Sequence, residues 1–318
     1  MALPAYKSPR FLYNGHLQTI WPTLFRVIKP PRYRRERLTT EDDDFLDLDW
    51  LQSGYKRLAV VSHGLEGDST RHYVIGMARA MAAHGWDVLA WNFRGCGGEI
   101  NRQPKFTHNG ATGDLDAVLR HALENHDYES MVLIGFSMGG NLSLLYLGRV
   151  ADKLPQKIRA AVCYSVPCDL ESASERLAEP SNAIYMKRFM KLMGRKVARQ
   201  AVNYPELFPH DNYHQLKTFH DFDGRYTAPL HGFRNARHYW AESSCKAYLH
   251  AIHVPVWIVN ARNDPFLPSA CYPDTMDHGN PLVTLVAPEQ GGHCGFPVFS
   301  RSGLYWSESF AVGLLRSC

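Results

Sequence analysis

Between Arg57 and Pro167, short apolar runs rich in β-branched residues alternate with longer segments whose apolar positions recur at helical spacing. "RLAVVSHG" (57–64) predicts a strand, "TRHYVIGMARAMAAHG" (70–85) a helix closed by Gly85, and "DVLAWNFRG" (87–95) a second strand. "GDLDAVLRHALENH" (113–126) predicts a helix with acid in its first turn. "SMVLIGF" (130–136) follows as a strand, "NLSLLYLGRVADKL" (141–154) as a helix and "IRAAVCYSVP" (158–167) as a strand. Upstream, "ERLTTEDDDFLDLDW" (36–50) alternates well enough for one or two antiparallel strands around an acidic turn. Strands and helices alternating over short connections imply an α/β fold with a mainly parallel central sheet and helices on both faces.

The rhythm stops at about Asp169. The next eighty or so residues are helical and irregular, rich in Tyr, His, Met and Phe, before strand character returns in "VPVWIVNARND" (254–264) and "PLVTLVAPEQGGH" (281–293). A closing helix is expected near "YWSESFAVGLLRS" (305–317). The expected organisation is therefore one core in two parts, residues 1–168 and 251–318, with a mostly helical cap insertion at 169–250. Open α/β sheets bind ligands beyond the carboxyl ends of their strands, so a cap there would enclose a pocket.

Composition narrows the class without naming a chemistry. In 318 residues, 45% apolar and 21% charged content suit a soluble globular chain, and a net charge of +4 is too mild to argue for nucleic acid. No run of about 18 apolar residues occurs, and the opening "MALPAYKSPRFLYNG" lacks a signal-peptide layout, so a cytoplasmic protein is expected. Seven cysteines are scattered without a C-x-x-C pair, which favours reduced thiols over disulfides or zinc. No metal and no cofactor is expected. Oligomeric state is not readable.

Chemistry enters at "VLIGFSMGGN" (132–141), where a buried strand ends in Gly-Phe-Ser-Met-Gly. G-x-S-x-G arises by chance in roughly one chain in ten of this length, so context decides. Here the motif lies directly between a strand and a helix, as a nucleophile elbow requires. Ser137 would take a positive φ, and Gly135 and Gly139 would leave room for a very tight turn. A serine needs a base, and the base an orienting acid, in the chain order Ser, then Asp or Glu, then His. Asp264, fixed by Pro265 after one strand, and His293, flanked by glycines after the next, fit that order. Asp169, Asp274 and Asp277 are the competing acids. An oxyanion hole would use the Met138 N–H and one N–H from the loop "VVSHGLEGDST", best placed at Leu65.

At this point the residues resemble a family. "NGHLQTIWPTLFR", "EDDDFLDLDW", "HGLEG", "NFRGCGGE", "GFSMGGN", "DPFLP" and "GGHCGF", with "FDGRYTAPLHGF" and "YWAESS" in the presumed cap, resemble the α/β-hydrolase superfamily over nearly the whole chain. More narrowly they resemble its YheT/EMB8-like hydrolases and the related animal lipases. The resemblance implies an α/β-hydrolase fold, a Ser137–Asp264–His293 triad, and hydrolysis of carboxylic esters, of short- to medium-chain acyl groups or of lipids. Met138 stands where Leu is usual and Cys294 where Val is usual, and neither removes a needed group. The partner expected is a small-molecule ester or lipid.

Two rivals share these residues: an alcohol acyltransferase using the same triad, and a catalytically silent binding protein. A separate acyltransferase centre at "HGLEGD" (His63 to Asp68) is disfavoured because the pattern falls in the oxyanion loop. "IYMKRFMKLMGRKVAR" carries Lys187, Arg188, Lys191, Arg195, Lys196 and Arg199 with no acid. It reads either as a basic amphipathic helix in peripheral contact with anionic membrane or, preferred here, as a cap helix packed inward with a solvated outer face. "KPPRYRRER" (29–37) is expected to be a solvated surface segment.

Overall fold

The computed structural model describes residues 5–274 and 278–318, and its strands form one eight-stranded sheet. In chain order these are β1 (Arg34–Thr39), β2 (Phe45–Leu51), β3 (Arg57–Ser62), β4 (Asp87–Asn92), β5 (Ser130–Phe136), β6 (Ile158–Tyr164), β7 (Val256–Val259) and β8 (Val283–Val286). Their spatial order is β1-β2-β4-β3-β5-β6-β7-β8. β2 pairs antiparallel with both neighbours, and every other pairing is parallel. The mainly parallel central sheet is the one the sequence predicts.

Period-two alternation divides the sheet between two apolar layers. On one side Leu58, Val60, Met131 and Leu133 pack with α3 (Thr112–Asn125) and α4 (Met138–Val150) through Leu115, Leu119, Leu142 and Leu145. On the other, Ala59, Val61, Val132 and Ile134 pack with α2 (His72–Ala82) and the final helix α10 (Trp306–Leu314) through Val74, Met77 and Phe310. Strands buried on both faces read as continuous apolar runs, which is why β5 was legible residue for residue.

Between β6 and β7 the chain forms α5 (Leu170–Ala178), α6 (Ala183–Asn203), α7 (Phe219–Phe222), a π-helical turn (Asp223–Thr227), α8 (Ala228–Leu230) and α9 (Ala236–Ser243). Residues of α5 to α8 share an apolar cluster that also takes in Phe266 and Leu267, from the loop after β7, while α9 packs Ala236, Tyr239 and Trp240 with Leu170 in a second cluster. α6 turns Tyr185, Met186, Met190, Met193 and Val197 inward, with Lys187, Arg188, Lys191, Arg195 and Arg199 exposed. Lys196 departs from the expected solvated face. It is buried, 2.8 Å from Glu66 and 3.1 Å from the Cys96 sulfur.

Two further differences concern the first 50 residues. Helix α1 (Gly15–Phe25) was not expected, although Asn14 caps it by accepting the Leu17 N–H at 2.8 Å. Pro22 inside the helix, and the exposure of Leu24 and Phe25, weaken its apolar signature. The basic cluster is also more than a solvated segment. Arg34–Arg37 opens edge strand β1, where Arg35 lies opposite Asp49 and Arg37 opposite Asp47. Both arginines grip their partners through two nitrogens, at 2.7 and 2.7 Å and at 2.8 and 3.1 Å. No helix among the described residues is long and apolar enough to cross a membrane.

Arg94, in the loop after β4, ties three segments together. It is 2.9 Å from Asp42, 2.9 Å from Asp44 and 2.8 Å from Asp114 in the first turn of α3. Asp44 is fully buried, so losing the guanidinium leaves its charge without a counter-ion, held only by neutral donors such as the Phe45 N–H and the Asn101 side-chain amide. Replacing Arg94 by Met should lower stability by about 3–5 kcal/mol, read as a shifted urea midpoint at unchanged slope. A loss under about 1 kcal/mol would mean the cluster is solvated enough to do without it.

Candidate active site

β5 delivers its chain directly into α4 through one residue. Ser137 sits at φ 53° and ψ −118°, a strained conformation for a side-chain-bearing residue. The turn closes only because its flanks are glycine. A Cβ on Gly135 would lie 2.5 Å from the Gly140 Cα, and one on Gly139 would lie 2.4 Å from the Ser62 carbonyl oxygen. The serine hydroxyl therefore stands at the carboxyl end of the sheet, against the N-terminal turn of α4.

The structure brings Asp264 and His293 to this serine. Asp264 follows β7, is buried, and is held by the Phe266 N–H at 2.9 Å. His293 follows β8. Its Nδ1 lies 2.9 Å from Asp264 Oδ2 and 3.1 Å from Oδ1, and its Nε2 lies 2.9 Å from Ser137 Oγ. The tautomer that satisfies both ends has Nδ1–H donating to the carboxylate and Nε2 accepting the hydroxyl proton. Burial pushes the imidazole toward neutrality, but the Asp264 carboxylate, aided by Cys294, overrides it and raises its pKa above the ordinary 6.5. Of the competing acids, Asp169 caps α5 through the Ser172 N–H, Asp274 is exposed, and Asp277 lies outside the described residues.

Leu65 and Met138 line one cavity with Ser137 and His293. Met138 opens α4, so its N–H has no intrahelical acceptor. Gly64 brings the Leu65 loop close, since a Cβ there would lie 3.3 Å from the Ser137 Cβ. The adjoining Glu66 has φ 55° and is tethered by Lys196 from α6. His63, by contrast, is committed elsewhere. Its Nε2 accepts the Phe93 N–H at 3.2 Å, its Nδ1 bonds the Gly64 carbonyl at 2.8 Å, and burial lowers its pKa to about 4. It has no nitrogen left for general-base work.

Helix α1 supplies contacts that no reading of the sequence assigned. Thr19 Oγ1 accepts the His293 N–H at 2.9 Å, and fully buried Gln18 takes the Gly291 N–H at 2.7 Å and the Asn263 side-chain amide at 2.9 Å. Gly15 packs on Asn263 so closely that a Cβ would lie 1.8 Å from its carbonyl oxygen. One short helix thus holds both the Asp264 loop and the His293 loop. Its only signal in the sequence was "NGHLQT", among the motifs that carry the family resemblance.

With this geometry in view, comparison with known proteins gives a consistent result. The alpha/beta hydrolase fold family matches residues 60–299. YheT of Escherichia coli (strain K12) is 34% identical over 89% of this chain and 84% of its own length. The phospholipase ABHD3 of Mus musculus is 30% identical, over 90% of this chain and 72% of its own length. The solved structure of the Pyrococcus furiosus esterase Pf2001 superposes with a TM-score of 0.60 at 20% identity, covering 92% of this chain and 98% of that one, and so shares the fold.

Gln18 offers a direct check on the role of α1. Gln18→Leu leaves the buried Gly291 N–H and the half-buried Asn263 amide without their partner, the first a loss of about 1–3 kcal/mol. Amide exchange at Gly291–His293 should accelerate roughly tenfold or more while β5 amides stay protected. Unchanged exchange there would show that the loop stands without α1.

Proposed function

We propose, from the premise that the chain belongs to the α/β-hydrolase fold family and its YheT/EMB8-like hydrolases, that it cleaves carboxylic esters with Ser137 as nucleophile. That it is a hydrolase of the esterase and lipase type follows from the relatives. The residue assignment is our own. The observation that carries it is the unbroken relay from Ser137 Oγ through His293 to Asp264, with both links at 2.9 Å.

In the proposed reaction His293 Nε2 takes the hydroxyl proton as Ser137 attacks the ester carbonyl. Asp264 fixes the imidazole's tautomer and stabilises its charged form. The N–H groups of Met138 and Leu65 receive the oxyanion, each worth about 10²–10³ in rate. The imidazolium then returns the proton to the departing alcohol. Water activated by the same histidine frees the acyl group. The helical segment 169–250 acts as a cap, and the apolar walls it gives the cavity favour short- to medium-chain acyl esters or lipids.

Ser137→Ala should remove nearly all hydrolysis of p-nitrophenyl butyrate, a loss of about 10³-fold or more in kcat, with an unchanged circular dichroism spectrum. Retained turnover would reject Ser137 as nucleophile. The pH dependence follows from His293. Only the neutral imidazole accepts the serine proton, and Asp264 raises its pKa. kcat/KM should therefore climb with pH along a limb whose midpoint lies above 6.5. A midpoint below that value would contradict the electrostatic role given to Asp264.

A further inference from the structure

The cavity that takes in Ser137 and His293 is walled mainly by apolar side chains, among them Phe106, Leu170, Leu177, Phe189 and Phe219. A plain hydrocarbon chain would ask nothing else of it. Yet the same wall carries a buried carboxylate. Asp223 begins the π-helical turn Asp223–Thr227, a rare geometry that concentrates at functional positions. Its Oδ1 accepts the Thr227 hydroxyl at 2.6 Å and its Oδ2 accepts the Trp240 indole N–H at 2.8 Å. Both donors are neutral, and no ion pair reaches Asp223 among the described residues. The other charged groups on the wall, Glu66 and Lys196, neutralise each other at 2.8 Å. A carboxylate offers about four acceptor positions, so two remain unspent. Burial raises its pKa to about 6, against the pull of Thr227 and Trp240, and at neutral pH it is still mostly ionised. An ionised group kept in so apolar a place is costly unless something further binds it.

Tyr239 supplies the complementary half. It lines the same cavity and is adjacent in sequence to Trp240, the partner of Asp223. Its hydroxyl oxygen accepts the Asn109 backbone N–H at 2.9 Å and the Asn109 side-chain amide at 3.2 Å. Its own proton has no protein acceptor among the described residues. Burial, then the nearby Asp223 charge, raise the pKa of this phenol, so it stays protonated and able to donate. A free acceptor and a free donor on one wall match a group that both gives and takes a hydrogen bond. A hydroxyl does so. A methyl does neither, and an ammonium cannot accept.

We propose that Asp223 and Tyr239 form a hydroxyl-recognition subsite in the cavity, so that the preferred ester carries a free hydroxyl remote from its scissile bond. The inference rests on the reading of Ser137 as the nucleophile of an ester hydrolase. The hydroxyl donates to Asp223 and accepts from Tyr239, while the hydrocarbon between it and the ester contacts the apolar wall. A site built to bond a hydroxyl discriminates strongly against the analogue that lacks it, because its own polar groups are then left unpaired.

The hydroxyl could belong to the acyl chain or to the alcohol, and two substrate arms separate these. In the first, kcat/KM of the full-length protein is measured for p-nitrophenyl esters of six- to twelve-carbon acids bearing a hydroxyl at successive positions, each against its unsubstituted parent. In the second, monoesters of six- to twelve-carbon α,ω-diols, with the far hydroxyl free, are compared with alkyl esters of the same length and the same acids. One hydroxylated member of one arm should exceed its matched partner by about tenfold or more, although it is the less hydrophobic of the two. That ratio should fall to near unity in Asp223→Asn and in Tyr239→Phe. Because it is read within each variant, a general loss of activity cancels. Ratios at or below one throughout both arms in the unmodified protein, with the parent esters turned over, would overturn the subsite without needing either variant to fold. Failure to turn over any ester would instead reject the Ser137 reading, and the subsite with it.

Discussion

The whole arrangement depends on one crowded turn. Ser137 holds a positive φ that costs about 1–3 kcal/mol, and it stays there because the surrounding backbone admits no alternative. β5 is pinned between β3 and β6, α4 starts one residue later, and the glycines on either side lie against the Gly140 backbone and the end of β3. A hydroxyl held by packing of this kind would need no reorganisation to act as the proposed nucleophile. The strain is local, while the contacts that offset it come from the entire sheet.

A positioned serine is inert without its partners, and these arrive from two loops that do not hold themselves. Asp264 and His293 each follow a short strand at the far side of the sheet, and both loops lean on α1. A helix near the start of the chain thereby closes contacts across some 270 residues with fully buried Gln18 at the centre. On the other flank, Lys196 reaches from α6 to Glu66, next to Leu65 in the loop after β3. The segment over the cavity is thus tied both to the Asp264 loop, where Asn182 donates to the Pro265 carbonyl at 2.8 Å, and to the loop after β3, through the Lys196–Glu66 pair.

Sequence alone made the core legible because buried parallel strands have a plain signature. β5 has the bounds that its apolar run gives, and Ser137 stands at the end of that run, while Asp264 and His293 lie in the loops after β7 and β8. What escaped notice were interactions with no periodic trace. The apolar residues of α1 are partly exposed and Pro22 interrupts its pattern, so its purpose, holding two distant loops, was invisible. Lys196 looked like the five exposed cations around it, and only the partner across space distinguishes it. Arg35 and Arg37 appeared as a surface cluster because strand register, which sets them opposite Asp49 and Asp47, is a tertiary fact. Asp223 stands within "FDGRYTAPLHGF" with no role legible there, since a carboxylate declares itself only by what does and does not surround it.

On the proposed reading, the strained alcohol of Ser137 has in His293 a base strengthened by buried Asp264, with the Met138 and Leu65 N–H groups as oxyanion donors and an apolar chamber above them. The proposal beneath all of it is that Ser137, the one serine among the described residues whose hydroxyl meets an imidazole, has its proton drawn by His293. Incubation with diethyl p-nitrophenyl phosphate, followed by peptide mass spectrometry, tests this most directly. The account predicts one diethylphosphoryl group per chain, on Ser137, and none on protein in which His293 is replaced by Ala. A modification elsewhere, or an unmodified Ser137 in the folded protein, would contradict it.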